Sequence, residues 1–127
     1  MNLSEVINLE LPKKSAYDQR QSQFDVEFDP ASGTVWSWFN PPGNPCFSLA
    51  LLRDIRAHDS MFESNGGYVP HQGSLQKAHY YVVGSKVPGV FNLGGDLALF
   101  MMLIKSGERE ALAQYAKLCI DNIYPRI

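Results

Sequence analysis

Eight consecutive apolar residues, Leu97-Ala98-Leu99-Phe100-Met101-Met102-Leu103-Ile104, follow directly on Leu93-Gly94-Gly95-Asp96. Leu, Ala, Met and Phe suit a helix, and Asp96 stands where a helix N-cap belongs, so the run predicts a helix over residues 97–105. This helix has no polar side. A helix that is apolar all round must be covered on every side, so whatever surrounds it dictates the fold. On its upstream side, Val90-Phe91 reads as the end of an apolar strand. The glycine pair leaves the backbone N–H of Gly95 with no side chain in front of it, at the positive end of the helix. A group so placed suits a developing oxyanion, provided a second donor lies across from it.

The remaining segments supply few candidates for the cover. Phe24-Asp25-Val26-Glu27-Phe28 alternates strictly, Asp29-Pro30-Ala31-Ser32-Gly33 is a turn, and Thr34-Val35-Trp36-Ser37-Trp38-Phe39 is rich in β-formers. Together they predict a β-hairpin. Trp36, Trp38 and Phe39 are expected in the sheet core or at a subunit contact, because no basic residue beside them suits a base-stacking platform. Asn40-Pro41-Pro42-Gly43-Asn44-Pro45 crosses the surface. Phe47, Leu51, Leu52, Ile55 and Phe62 follow helical spacing, with Arg53, Asp54 and Arg56 on the other side, and Asn65-Gly66-Gly67 stops that helix. A polar loop is expected to about Lys77, then a third strand over residues 79–84 and a turn over 85–89. Gly107 separates the apolar helix from a last one running from Glu108 to about Tyr124, which Pro125 ends.

Residues 1–23 mix apolar pairs with Lys13, Lys14, Asp18 and Arg20 and read as an N-terminal arm, leaving residues 24–127 as one unit. Three short strands and two further helices hardly cover residues 97–104. The chain also stops where an α/β protein would continue into another strand. It therefore reads as part of a larger fold or as one partner of a tight assembly.

Composition excludes several functions. With 127 residues, 45% apolar and 19% charged, the sequence is that of one ordinary globular domain, and a net charge of −2 argues against nonspecific nucleic-acid binding. Cys46 and Cys119 have neither metal spacing nor a secreted disulfide pattern and are expected as buried free thiols of a reducing cytosol. No signal peptide is evident, and the longest apolar run is too short for a bilayer, so a soluble, cytoplasmic protein without a membrane partner is expected. His58, His71 and His79 show no ligand spacing, and no metal site is expected. His58 is placed toward the end of an exposed helix. Asp54, Asp59 and Glu63, like Glu108 and Glu110, read as a solvated face and helix-start acids.

Val90-Phe91-Asn92-Leu93-Gly94-Gly95-Asp96-Leu97-Ala98-Leu99-Phe100 resembles the first oxyanion-hole segment of the crotonase (enoyl-CoA hydratase/isomerase) superfamily, whose pattern is Phe-x-x-Gly-(Ala/Gly)-Asp-Leu. The resemblance is closest to the diffusible signal factor synthases, the enzymes that make cis-2-unsaturated fatty acids for bacterial quorum sensing. Cys46-Phe47-Ser48 with Leu52, Asp54 and Ile55 looks like the first helix of that branch. Leu103-Ile104, Gly107, Tyr115-Ala116 and Cys119 look like its later helices. The match spans roughly residues 43–124 and is weakest over 65–76; residues 1–40 resemble the family only in strand order.

The resemblance implies an α/β fold, the N-terminal part of a crotonase-like spiral of ββα units truncated before the second oxyanion turn, in a family that assembles as trimers or hexamers. It implies acyl thioesters of CoA or acyl carrier protein as substrates, with no covalently bound cofactor. By position, the Gly95 N–H is the first oxyanion donor, with Gly94 beside it, and backbone at Cys46, Phe47 and Ser48 approaches the CoA or phosphopantetheine arm. Arg53 and Arg56, three apart on one helix face, read either as solubilising charges or as contacts to CoA phosphates or an acidic carrier protein.

The family's second oxyanion glycine and its two acid/base glutamates lie in a later half, and no Gly-Gly-Gly-Phe-Glu-type segment occurs in residues 1–127. Lacking one oxyanion donor costs roughly a hundred- to a thousand-fold in rate, and lacking the acid/base pair about a hundred- to ten-thousand-fold more. The expectation is thus the N-terminal portion of a lyase-type enzyme that dehydrates or hydrolyses 3-hydroxyacyl thioesters in fatty acid metabolism, nearly inert by itself and partnered by further copies or by the missing C-terminal half. The competing expectation is a noncatalytic half-crotonase that serves as an oligomeric scaffold or acyl-thioester binder.

Overall fold

In the computed structural model, which describes residues 23–126, strand β1 (Phe24–Asp29) and strand β2 (Thr34–Phe39) pair antiparallel, with Phe24 opposite Phe39 and Asp29 opposite Thr34. Apart from Gln23, the expected arm lies outside the described residues. The Asp29 carboxylate closes the hairpin turn by accepting from the Ala31 N–H at 3.0 Å and the Ser32 hydroxyl at 2.7 Å. Strand β5 (Tyr80–Ser85) joins the other side of β2 in parallel, Thr34 opposite Tyr80 and Phe39 opposite Ser85. A parallel neighbour needs a crossover, and helix α1 (Leu49–Ser64) lies in it.

Period-two alternation sorts the sheet into two faces. Phe24, Val26, Phe28, Val35 and Phe39 point to one face and are buried against Leu51 and Ile55 of α1. Each such burial stabilises by about 1.5–3 kcal/mol, well above any per-residue helix propensity, so docking onto the sheet fixes α1 in place. Trp36 and Trp38 point to the opposite face, half-buried, with parallel rings 5.9 Å apart. Of the three aromatic residues expected in the sheet core, Phe39 alone packs there. Trp38 lies so close over Gly84 that a Cβ there would stand 2.7 Å from its ring.

Helix α1 starts and stops two residues later than its apolar spacing predicts, because Ser48 is its N-cap, accepting from the Leu51 N–H at 3.2 Å. The polar loop expected to Lys77 is instead a hairpin of β3 (Tyr68–His71) and β4 (Ser74–Lys77). Its two-residue turn has positive φ at both Gln72 (50°) and Gly73 (83°), the mirror-image turn that matches strand twist. The strand end expected at Val90-Phe91 does not form either. Residues 86–96 cross without a ladder, and only an isolated parallel bridge joins Gly95 to Phe47.

Helix α2 (Leu97–Lys105) begins and ends where the sequence places it. Helix α3 (Arg109–Ile123) follows Gly107, and a 3-10 turn at Tyr124–Arg126 carries the chain through Pro125. Helix α3 is tied to α1: Arg56 donates to the Asp121 carbonyl at 2.9 Å, and the buried Asn122 donates to the Leu52 carbonyl at 3.1 Å. Helix α2 has no buried residue, and Leu97, Met101, Met102 and Ile104 are each more than half exposed. The architecture is mixed α/β with its most apolar helix uncovered among the described residues.

Candidate functional site

The turn before α2 is built from six hydrogen bonds. The Asn92 side-chain oxygen accepts from the Gly94 N–H at 2.7 Å, an Asx turn, and Gly94 then takes φ +94°, a conformation that favours glycine. The Leu93 N–H donates to the Pro45 carbonyl at 2.8 Å, and the Phe47 N–H donates to the Gly94 carbonyl at 2.8 Å. Residues 45–47 therefore lie beside residues 93–95. Across this junction Tyr115 of α3, 2% exposed, places its hydroxyl between two backbone groups. It donates to the Phe47 carbonyl and accepts from the Asp96 N–H at 3.1 Å. The Asp96 side chain caps α2 through the Leu99 N–H at 3.1 Å.

These bonds decide which amide is left over. The Gly94–Gly95 peptide is planar and trans, so its N–H points opposite to its C=O. The Gly94 carbonyl faces the Phe47 N–H, so the Gly95 N–H faces away from Phe47. Gly95 is an exposed residue, and among the described residues its N–H donates no hydrogen bond. The neighbouring N–H groups of Gly94, Asp96, Phe47 and Leu99 are all engaged. The turn thus leaves the Gly95 N–H as a donor just ahead of the N-cap, beside the positive end of α2. A Cβ on Gly95 would stand 3.0 Å from the Phe100 ring, so the bare position also lets that ring close against the turn.

Cys46, Phe47 and Ser48 support the turn from below. The Cys46 N–H donates to the Asn44 carbonyl and the Ser48 N–H to the Cys46 carbonyl, so all three backbone N–H groups are spent within the chain. Cys46 is 5% exposed, and its thiol is pushed up by burial and by the Asp96 carboxylate, so it is held as an unreactive thiol. Burial also raises the Cys119 thiol and the Tyr115 hydroxyl. Both cysteines are free. Arg56 is occupied by the Asp121 carbonyl and by Glu63 at 2.9 Å, whereas Arg53 is exposed and forms no ion pair among the described residues.

His58 and Asp59 are not on an exposed face. They are 1% and 4% exposed, under the sheet. The Asp59 carboxylate accepts from both terminal nitrogens of Arg126, at 2.5 and 3.0 Å, and from the Tyr81 hydroxyl at 3.0 Å; His58 Nδ1 lies 3.3 Å away. The Arg126 guanidinium also lies 5.1 Å from the Tyr81 ring centroid. Burial raises the Asp59 carboxyl, but the bonds from His58 and Arg126, the Arg126 charge and Tyr81 outweigh it and hold it below the ordinary range. Burial and the Asp59 charge push the Tyr81 hydroxyl far up. The sequence signal for this cluster was helical spacing: positions 51, 55, 58 and 62 share one stripe, as do 52 and 59, so His58 and Asp59 fall among the apolar residues.

Among the described residues there is no grouping of His, Cys, Asp and Glu able to hold a metal ion, and no helix is long and apolar enough to cross a membrane. No protein-family model matches the sequence, and no curated protein matches it.

Proposed function

We propose that the chain carries one half of an acyl-thioester site of crotonase type, close to that of a signal factor synthase. The observation that supports this reading is the Gly95 N–H, aimed away from Phe47 at the N-terminus of α2 and left without a partner among the described residues. In this reading it hydrogen-bonds the thioester carbonyl of a 3-hydroxyacyl-CoA or carrier-protein substrate. The second donor and the two glutamates are, in this reading, not supplied by residues 1–127.

Two comparisons test the reading. The chain bound to an acyl-CoA holds it more tightly than the thioether analogue that lacks the carbonyl oxygen, by about two- to tenfold, the worth of one neutral hydrogen bond. It shows no turnover of 3-hydroxyacyl or acyl thioesters. Equal affinity for thioester and thioether contradicts the oxyanion role of Gly95, and turnover at an ordinary enzyme rate contradicts the incompleteness of the site.

The exposure of α2 favours a second reading, a noncatalytic oligomer built through that helix. Leu97 is 71% exposed and Ile104 66%, and a contiguous apolar surface of this kind marks an interface. A stable, cooperatively unfolding oligomer without thioester preference supports that reading over the first.

A further inference from the structure

We infer that Tyr115 is the positioning residue of the Gly95 amide. The functional meaning of this inference rests on the proposed role of Gly95; its geometry stands apart from that role. Two peptide groups flank the Gly95 Cα, and both face Phe47 across an isolated parallel bridge. The Gly94–Gly95 peptide is held through its carbonyl by the Phe47 N–H at 2.8 Å. The Gly95–Asp96 peptide is held through its N–H by the Tyr115 oxygen at 3.1 Å.

The same hydroxyl donates to the Phe47 carbonyl. Tyr115 therefore closes a ring of backbone and side chain that runs from Phe47 through Gly94, Gly95 and Asp96 and back to Phe47. Gly95 has no side chain to limit its own φ and ψ. Without the hydroxyl, the Gly95–Asp96 peptide keeps only the isolated parallel bridge to Phe47, and the direction of the Gly95 N–H is held less firmly. The Tyr115 ring is itself fixed, buried in the middle of α3 with its edge-to-face partner Phe100 at 5.1 Å. The Cβ position of Gly95 is 3.9 Å from the Tyr115 oxygen, so hydroxyl and amide belong to one packed unit. An aligned donor is worth more than a mobile one because no reorganisation is needed when charge develops.

The test is Tyr115→Phe, which keeps the ring and removes the bridge. Amide hydrogen exchange is read at Asp96 and Gly95, and the acyl-CoA preference over its thioether analogue is measured in parallel. The expected result is a folded variant whose Asp96 amide exchanges at least tenfold faster, whose Gly95 resonance shifts or broadens, and whose thioester preference is lost while affinity for free CoA is unchanged. A purely structural role would lower global stability without moving these local signals selectively. Unchanged Asp96 exchange in a folded variant overturns the inference. If the wild-type chain shows no thioester preference but the variant still speeds Asp96 exchange and shifts the Gly95 resonance, the role of Gly95 falls and the positioning by Tyr115 stands. Should the variant not fold, the wild-type protein decides: an Asp96 amide protected from exchange supports the bridge, and one that exchanges at the rate of an open turn overturns it.

Discussion

Arg126, in the turn after α3, reaches back to Asp59 in the interior of α1 and grips its carboxylate with both terminal nitrogens, at 2.5 and 3.0 Å. Removing either member leaves the other to its surroundings, and the two surroundings differ. The Asp59 side chain is 5% exposed and that of Arg126 29%. Arg126→Gln strands a buried carboxylate and is expected to destabilise by about 3 kcal/mol, at the low end for a broken buried pair. Asp59→Asn leaves a guanidinium that water can reach and costs less, about 1–2 kcal/mol. Urea denaturation of both variants and of the double variant checks the order. The double variant is expected to cost less than the sum of the singles, because the two residues share one interaction.

The same pair sets an acid limit. The Asp59 carboxyl is held below its ordinary value in the folded state, so the folded protein binds the proton less readily than the unfolded chain. The resulting stability is present above the unfolded value of about 3.9 and is lost as pH falls through the folded value. Urea midpoints between pH 6 and pH 3 are therefore expected to fall steeply for the wild-type chain and less steeply for Asp59→Asn. Parallel curves for the two proteins remove Asp59 as the cause.

On α2, side chains that touch little within the described residues can be changed without loss of fold. Leu97→Glu with Ile104→Glu is expected to leave far-UV circular dichroism unchanged and, at protein concentrations too low for association, the unfolding free energy within about 0.5 kcal/mol of wild type, as for surface positions. The same variant is expected to lower the solution mass seen by sedimentation at tens of micromolar. An unchanged mass shows that α2 is not the contact between copies.

Gly94 and Gly95 respond differently to alanine. Gly94 has φ +94°, where any side chain is strained, although its Cβ would meet nothing within 4 Å. Gly94→Ala is expected to cost about 1–2 kcal/mol through the backbone alone. Gly95 has no such constraint, and a Cβ there meets the edge of the Phe100 ring at 3.0 Å and the Tyr115 oxygen at an ordinary 3.9 Å. Gly95→Ala is expected to cost less, with a displaced Phe100 ring visible in its proton shifts. The relative denaturation midpoints of the two variants check the assignment.

The parts of the fold that were legible in the sequence are those set by neighbours along the chain. Asp96, the glycine pair and the apolar run specify α2 and its cap through contacts three residues apart, and the alternation in residues 24–28 specifies β1. The β3–β4 hairpin escapes because Gln72 occupies a positive-φ position usually held by Asn or Gly, and because Ser74, Gln76 and Lys77 give β4 a loop-like polarity. The burial of His58 and Asp59 escapes for a different reason. Their polarity argues for a solvated face, and what makes their burial tolerable is Arg126, 67 residues further along. At the candidate site the same division holds: the bare Gly95 amide follows from local sequence, whereas the Tyr115 bridge depends on how α3 docks.

The claim that Gly95 holds a thioester oxygen is tested most directly by amide nuclear magnetic resonance of the labelled chain during titration with an acyl-CoA and, separately, with its thioether analogue. The account predicts that the Gly95 amide proton moves downfield with the thioester and not with the thioether, while residues lining the rest of the bound molecule respond to both. A Gly95 amide that stays in place while other residues report binding of the thioester contradicts it.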